Sequence, residues 1–463
     1  MVKYDLVKQC QALIDLEPLL VKVVEDQQCP PVTCIIADVF VICTPAVAKR
    51  FHIPHLVFWT QSAASYATHT IVTQNYASLR GQLFPEELQY GEAKEGKLIR
   101  NIPGCPPLKL REVPTFLQAM DPADFLFNYL IRNFDDALDA DYVLMNTFEE
   151  LEAESMASIA KPPALAIGPM LPAQFVLSRD GDEDRSRDVM VVDKNPNLIQ
   201  RRNGVVVDEN PNLMKRGSSL WVEDEQGCLP WLDLQKPKSV LYVSFGSITY
   251  MSARQIHEFA LGLEAGRWPF LMVLRPELTV DDGGGRRATT TFLSDFVHRM
   301  RSHARAAFVE WAPQLQVLAH PAIGGFLTHC GWNSTLESIS MGVPMLCWPY
   351  FADQMINCRC IVDVWKLGLE FDTKELEDET SSNPIDKDDD IDGTSKSKDN
   401  ITKVVRATRH EIERKVDHLM DPNLSKEIRE RANTLSLAAK EAYKGPCQQN
   451  LNLLLHFLFT YLK

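Results

Sequence analysis

The sequence predicts an α/β protein made of two doubly wound, Rossmann-like domains that follow one another along the chain and face a cleft. Three observations support this fold class. The chain has 463 residues, enough for two or more domains, and its 45% hydrophobic and 24% charged content is typical of globular proteins. Apolar, strand-like runs alternate with helical patterns in both halves. A polar segment at 171–222 interrupts this alternation.

The first half contains three strand-like runs separated by helical material. They are "VTCIIADVFV", "IPHLVFWT" and "ADYVLMNTF", and each is apolar enough to be buried in a parallel sheet. We assign residues 1–222 to an N-terminal domain, with 171–222 as an insertion or linker. Two similar decapeptides begin there at Val192 and Val207, "VDKNPNLIQR" and "VDENPNLMKR". Two copies indicate a local duplication within a loop and not a solenoid.

The second half repeats the alternation more regularly. Five runs predict strands: "SVLYVSFGS", "PFLMVLR", "AAFVEW", "IGGFLTH" and "VPMLCWP". Between the first two, the segment "SARQIHEFALGLEAG" predicts an amphipathic helix that ends at Gly266. Its apolar face consists of Ile256, Phe259, Ala260 and Leu263.

We assign residues 223–445 to a C-terminal domain. The stretch at 373–400 within it is acidic and rich in Ser and Asp, which predicts a disordered segment or a surface loop. The final stretch, 446–463, contains "LNLLLHFLFTYL". This run is too short to span a bilayer, so we expect a closing helix that packs back towards the N-terminal domain.

Charge and cysteine content limit the function. A formal net charge of −14 argues against a nucleic-acid partner. The 11 cysteines are odd in number, and the opening residues "MVKYDLVKQC" do not resemble a signal peptide. We therefore expect a cytoplasmic protein with reduced thiols and no transmembrane segment. No second cysteine pair with zinc spacing accompanies Cys358 and Cys360, so no metal site is expected.

The most informative stretch is "LTHCGWNSTLES", in which His329 and Cys330 are neighbours. Three kinds of site are compatible with these residue types. A nucleophile–base pair is disfavoured because adjacent side chains at a strand end point in different directions. A zinc site is disfavoured because no partner ligands have the necessary spacing.

A helix that begins beneath an anion is the third possibility. The strand reaches a turn at Gly331, and a helix is expected to begin near Asn333 and Ser334. Free N–H groups and the helix dipole favour an anion at such an end, with Asn333, Ser334 and His329 adding side-chain donors. Taken alone, an N-cap role for Asn333 or Ser334 explains the pattern equally well.

The residues around this stretch resemble a known family. The 44 residues from Trp311 to Gln354, "WAPQLQVLAHPAIGGFLTHCGWNSTLESISMGVPMLCWPYFADQ", closely resemble the nucleotide-sugar box of plant secondary-product UDP-glycosyltransferases, without a gap. Weaker similarity extends over most of the chain, in "VTCIIADVF", "IPHLVFWTQSA", "VLMNTFEELE", "IGPM", "PWLDLQKPKSVLYVSFGS" and "VWKLGLEF". The resemblance implies the GT-B fold, with the sugar donor bound mainly by the C-terminal domain.

The resemblance also implies a site for a UDP-sugar in three parts. Trp311 is expected to stack on the uracil, Gln314 to lie near the base or ribose, and Glu337 to hold the ribose hydroxyls. The diphosphate is expected to contact Ser247, His329, Asn333 and Ser334. The sugar is expected to contact Trp332, Asp353 and Gln354. A terminal Gln in this box accompanies a preference for glucose within the family.

The catalytic pair of the family is only half present. In the family a His near the N-terminus removes the acceptor proton, and an Asp orients that His. Asp38 in "CIIADVF" matches the Asp, but His52, His55 and His69 all follow it. We therefore expect that the family's first βα units and its catalytic His are absent. This predicts an uncovered sheet edge and a chemical step slowed by about 10²–10⁴-fold.

The resemblance favours inverting transfer of glucose from UDP-glucose to a hydroxyl of a small acceptor, such as a flavonoid or another phenolic. The alternative is a catalytically impaired UDP-sugar-binding relic or an incomplete gene model. A nicotinamide dehydrogenase would need G-x-G-x-x-G after a strand, and "DDGGGRRATT" does not supply it. We expect a monomer that uses no cofactor besides the UDP-sugar.

Overall fold

A computed structural model defines residues 17–26, 30–41, 43–74, 98–118, 129, 134, 138–177, 227–247, 249–275, 279–280, 286–372 and 407–461. The expected duplication within the linker and the expected acidic loop at 373–400 lie outside these residues. The described residues form two parallel sheets with helices on their faces, so the predicted α/β class is confirmed.

The strands divide into two main sheets and two small ribbons. The N-terminal sheet is parallel with the order β1-β2-β5-β6, and the C-terminal sheet is parallel with the order β11-β9-β7-β12-β13-β14. In chain order the strands are β1 (Ile35–Asp38), β2 (His55–Trp59), β3 (Leu98–Ile99), β4 (Leu108–Lys109), β5 (Tyr142–Met145), β6 (Ala164–Ala166), β7 (Val240–Ser244), β8 (Met251–Ser252), β9 (Phe270–Val273), β10 (Thr279–Val280), β11 (Ala306–Val309), β12 (Ile323–Thr328), β13 (Met345–Cys347) and β14 (Gly368–Glu370).

All the runs predicted as strands contain one. Two strands of the main sheets, β6 and β14, were not predicted. Each is only three residues long, and "ALA" and "GLE" carry little of the β-branched or aromatic pattern that marks a strand. Both lie at sheet edges among the described strands, where a short segment pairs on one side only.

The helices cover the sheets, and the predicted amphipathic helix is one of them. In chain order they are α1 (Glu17–Glu25), α2 (Thr44–Phe51), α3 (Ala63–Gln74), α4 (Glu149–Ala157), α5 (Ala173–Val176), α6 (Cys228–Asp233), α7 (Ala253–Ala265), α8 (Arg286–Ser302), α9 (Gln314–Ala319), α10 (Trp332–Ser340), α11 (Gln354–Arg359), α12 (Arg409–Met420), α13 (Lys426–Lys444) and α14 (Pro446–Tyr461). Helix α7 is capped by the Ser252 side chain and ends at Gly266. The residues of its predicted apolar face are all buried, which confirms that prediction.

Strand β1 forms one edge of the N-terminal sheet among the described strands, and Asp38 lies at its carboxyl end. Ile36 on this strand is 52% exposed, so an apolar side chain faces outward there. The position of Asp38 matters because ligands of parallel sheets bind beyond the carboxyl ends of the strands.

The chain returns to its first domain at its end. Helix α13 belongs to the C-terminal domain, where Ser436 donates to the carbonyl of Ser340. Helix α14 packs Leu454 against Leu56 and Leu144 of the N-terminal sheet. Only Gly445 separates the two helices. Within the described part of the chain, none of the helices has the length and apolar character needed to cross a membrane.

Candidate functional site

The C-terminal sheet brings the predicted donor-site residues to one edge. Ser247, Trp311, His329 and Asp353 follow the carboxyl ends of β7, β11, β12 and β13, respectively. The carboxyl ends of parallel strands meet at the same edge of a sheet, so residues far apart in sequence converge there.

Gln314 connects two of the predicted residues directly. Its Nε2 donates to Ser334 Oγ at 2.8 Å and to Glu337 Oε2 at 2.7 Å, while its Oε1 accepts from the Tyr242 hydroxyl at 3.2 Å. Glu337 is only 4% exposed, and burial raises the pKa of its carboxyl to about 7. The cluster therefore presents a fixed amide and a carboxyl group that titrates near neutral pH.

Trp311 supplies a flat surface near this edge of the sheet. It lies two residues after the end of β11 and precedes Gln314 by three residues. Its side chain is 42% exposed, which is unusual for Trp in a soluble protein and leaves ring surface accessible. An accessible indole ring can stack on the flat ring of a nucleotide base.

His329 lies between two glycines. A β-carbon on Gly246 or on Gly331 would collide with His329 Nε2, so both positions need glycine to admit the ring. Gly246 also has φ +77°, a conformation that favours glycine. Burial and the nearby Arg275 guanidinium lower the pKa of His329 to about 4, so the imidazole is neutral at pH 7. Its Nδ1 is buried without a hydrogen-bond partner among the described residues.

The helix after this turn begins earlier than predicted. The N-cap is Gly331 and the first helical residue is Trp332, so Asn333 and Ser334 lie within the first turn. The interpretation of Asn333 or Ser334 as an N-cap is therefore wrong. No side chain caps Gly331, and first-turn N–H groups have no acceptor within their own helix. These N–H groups, together with exposed Asn333, can bind an anion.

Arg275 adds positive charge beside the turn, and the sequence did not single it out. Its guanidinium donates to the carbonyl oxygens of Ser247 and Thr249, the latter at 2.9 Å. Ser247 itself is exposed. The signal that could have identified Arg275 is its place at the end of the strand-like run "PFLMVLR", two residues after the carboxyl end of β9.

Asp353 and Gln354 are both buried and partly used by the protein itself. Gln354 Oε1 accepts from the N–H groups of Tyr350 and Phe351 at 2.9 and 3.1 Å. Asp353 Oδ2 accepts from Asn357 Nδ2 at 2.7 Å, and burial raises the Asp353 pKa to about 6. These contacts do not use Gln354 Nε2, which can donate to a sugar hydroxyl, or Asp353 Oδ1, which can accept from one.

Asn357 was missed by the sequence reasoning, and it connects the two domains. Besides Asp353, its Nδ2 donates to the Cys330 carbonyl at 3.0 Å, and its Oδ1 accepts from the Ser62 hydroxyl at 2.8 Å. Ser62 belongs to the N-terminal domain. The available signal was spacing: Asn357 lies four residues after Asp353, which places the two on one face of a helix.

Trp332 also joins the domains. Its indole is 3% exposed, its Nε1 donates to the Asn146 carbonyl at 2.8 Å, and its ring lies 6.1 Å from that of Trp365. The side chain is therefore committed to the domain interface. If Trp332 contacts a sugar, it does so through its backbone N–H.

Asp38 lies in the other domain, at the carboxyl end of β1. Its carboxylate accepts from the Phe40 N–H and from the Thr60 hydroxyl, both at 2.9 Å. Burial raises its pKa, and these two hydrogen bonds oppose that shift. Among the described residues, no histidine is hydrogen-bonded to this carboxylate.

Together, the fold and the site define a class of protein. Two parallel α/β domains, with an exposed Trp, a buried carboxyl group held by Gln314 and an uncapped helix start following strands of one sheet, are the arrangement expected of a UDP-sugar-dependent glycosyltransferase with the GT-B fold.

Comparison with known proteins identifies the family. The model for "UDP-glucoronosyl and UDP-glucosyl transferase" matches residues 231–409. UDP-glycosyltransferase 85A7 of Arabidopsis thaliana is 34% identical over 98% of this chain and 79% of its own length. A 7-deoxyloganetin glucosyltransferase of Gardenia jasminoides is 36% identical over 77% of this chain and 66% of its own length. The chain therefore belongs to the plant UDP-glycosyltransferase family.

Solved structures confirm the GT-B fold. UGT2 of Phytolacca americana, complexed with UDP-2fluoro-glucose and pterostilbene, matches with a TM-score of 0.65 and 26% identity. The match covers 98% of this chain and 80% of that one. The family transfers a glycosyl group from a UDP-sugar to a small acceptor.

Proposed function

We propose that this chain transfers glucose, with inversion at the anomeric carbon, from UDP-glucose to a hydroxyl of a small acceptor such as a flavonoid or another phenolic. The observation that carries the proposal is the bonding of Gln314 to both Ser334 and Glu337, near accessible Trp311. Two comparisons support the donor and the acceptor class. Relatives include a 7-deoxyloganetin glucosyltransferase, and the UGT2 structure contains UDP-2fluoro-glucose with pterostilbene, a phenolic.

The diphosphate leaving group would be stabilised by groups of this chain. Neutral His329 can donate one N–H, the first turn of α10 offers backbone N–H groups, and Arg275 places positive charge nearby. Because these groups can offset the charge that develops on the diphosphate, we propose that transfer uses no cofactor besides the donor.

A second candidate function is UDP-sugar binding with impaired transfer. The observation that favours it is the environment of Asp38, whose carboxylate is held by Thr60 and by the Phe40 N–H. An orienting acid acts through its His, and among the described residues no histidine is hydrogen-bonded to this carboxylate. Donor binding resides in the other domain and does not depend on this carboxylate.

A transfer assay separates the two candidates. The chain is incubated with UDP-glucose and a panel of phenolics, and glucosides are quantified by mass spectrometry. Glucoside formation that Asp38→Asn strongly reduces supports the transferase. Calorimetric binding of UDP without any glucoside supports the impaired binder. A folded chain that neither binds UDP nor forms glucoside contradicts both.

Glu337→Ala should weaken UDP binding by about 1–3 kcal/mol, the cost of losing hydrogen bonds to a charged group. Binding of inorganic pyrophosphate should change much less, because Glu337 is assigned to the ribose. His329→Ala serves as the comparison, since it should weaken both ligands. Isothermal calorimetry with each ligand measures these effects. Equal losses for both ligands in both variants would show that the site is not divided into ribose and phosphate parts.

UDP affinity should increase by up to about 10-fold from pH 6 to pH 8. The pKa of Glu337 is raised to about 7 by burial, so its ionised fraction increases over this range. Ribose hydroxyls donate to a carboxylate, and the ionised form therefore binds more tightly. His329, with a pKa of about 4, stays neutral throughout. Glu337→Gln should remove most of the dependence, while ionisation of UDP itself affects both proteins equally.

Gln354→His should shift the donor preference from UDP-glucose towards UDP-galactose. The two sugars differ in the orientation of one hydroxyl, and a site built for one arrangement leaves polar groups unpaired against the other. Gln354 Nε2 is the group expected to make this distinction. Competition between the two donors for binding measures the preference without requiring turnover. An unchanged ratio would remove Gln354 from the sugar site.

A further inference from the structure

Three cysteines that the donor site does not use converge beside it. Cys330 lies in the turn after β12, Cys347 ends β13 and Cys358 lies in α11. Their sulfur atoms are all within 4.8 Å of one another. Each side chain is buried, with an exposure of 2% or less. Among the residues that the structure describes, no other three or more His, Cys, Asp or Glu side chains bring their ligand atoms this close together.

The spacing of the sulfur atoms suits a single metal ion. Metal–thiolate bonds of about 2.3 Å place the sulfurs of a three-coordinate ion about 4.0 Å apart. The three atoms therefore need to approach one another by less than about 1 Å to share an ion. Sulfur is also the ligand atom that selects soft ions over magnesium or calcium.

We propose that Cys330, Cys347 and Cys358 form a binding site for a thiophilic metal ion of the zinc, cadmium or copper(I) class. Each thiol releases its proton to solvent as its sulfur coordinates the ion. The ion takes no part in the chemistry of sugar transfer, so this proposal does not depend on the proposed function.

Glu370 borders the site on the side of Cys358 but does not belong to the group of three. Its Oε2 lies 3.8 Å from Cys358 Sγ, close to the roughly 3.5 Å expected between sulfur and oxygen ligands of one tetrahedral ion. Its Oε1 is held by Arg359 at 2.6 Å, which fixes the carboxylate. Glu370 is also the residue of β14 that pairs with Cys347 of β13, so the sheet places these two residues side by side.

A bound ion would connect two elements of the donor site, the turn after β12 and helix α11. Cys330 lies between His329 and Gly331, and its φ of +64° shows that the turn holds a non-glycine residue in the left-handed region. Cys358 belongs to the helix that begins at Gln354. The ion would therefore restrain the diphosphate turn relative to the residues assigned to the sugar.

Cadmium is a suitable probe because its thiolate bonds absorb in the near ultraviolet. The full chain is reduced, freed of metal and titrated with cadmium chloride, while native mass spectrometry counts the ions bound. We expect one tightly bound ion per chain with a sulfur-to-metal absorption band. Cys358→Ala should weaken binding by at least on the order of 100-fold, since even loss of an outer-shell partner costs about 10–100-fold.

Cys360→Ala is the matched control, because Cys360 is equally buried two residues away but is not one of the three. It should bind cadmium as the unaltered chain does. If Cys358→Ala does not fold, as judged by circular dichroism, Cys358→Ser replaces it. Unchanged affinity in the Cys358 variant would overturn the proposal. So would a folded, reduced chain that binds no cadmium, because the thiols would then be core packing only.

Discussion

Glu152→Leu should lower the free energy of unfolding by about 3–4 kcal/mol. The Glu152 carboxylate is buried and accepts three hydrogen bonds, from the Ala63 and Ala64 N–H groups at 3.0 Å and from the Thr147 hydroxyl at 2.7 Å. The two N–H groups begin α3, so this side chain caps that helix from another element. Burial raises the Glu152 pKa, and the three hydrogen bonds oppose the shift.

Leucine would leave all three donors buried without an acceptor. Chemical denaturation followed by circular dichroism measures the loss. Glu154→Leu is the matched control, because Glu154 lies in the same helix and is exposed, and it should change stability by less than about 0.5 kcal/mol. Glu152→Gln, which retains one acceptor oxygen, should give an intermediate loss. A Glu152→Leu variant as stable as the control would show that water replaces the carboxylate.

Asn357→Leu should cost about 2–4 kcal/mol of stability and weaken UDP-glucose more than UDP. Leucine has the same branching and number of side-chain heavy atoms but leaves the Ser62 hydroxyl, the Cys330 carbonyl and Asp353 without their Asn357 partner. Asp353 is assigned to the sugar, and its pKa would rise further once Asn357 no longer donates to it. The additional loss for UDP-glucose should be about 10-fold.

Two calorimetric titrations, with UDP and with UDP-glucose, measure this difference. Ser62→Ala is the comparison, because it removes the bond between domains and a local bond from the Ser65 N–H but leaves Asp353 paired with Asn357. It should lower stability slightly and affect both ligands alike. If Asn357→Leu also affects both ligands alike, Asn357 supports the domain interface but does not position Asp353.

The secondary structure was largely predictable because local patterns determine it. Buried parallel strands are continuous apolar runs, and α7 carries its apolar face, N-cap and terminal glycine within one segment. The start of α10 was misplaced by two residues because the pattern favoured Ser and Asn as caps, whereas Gly331 occupies that position.

Contacts among the candidate site residues were predictable only within one contiguous box. The contact of Gln314 with Glu337 joins residues of that box, and the resemblance placed both near the ribose. The bond between Ser62 and Asn357 joins residues 295 apart in the sequence, and no local pattern records such a pairing. The same holds for the three thiols. Cys347 approaches Cys330 because β13 pairs with β12, and sequence spacing does not reveal which strands are neighbours.

The return of α14 to the first domain means that the core of that domain is completed by the end of the chain. Leu454 of α14 packs against Leu56 and Leu144, which are both buried strand residues of the N-terminal sheet. The N-terminal sheet therefore has its full apolar cover only once the last helix of the chain is in place.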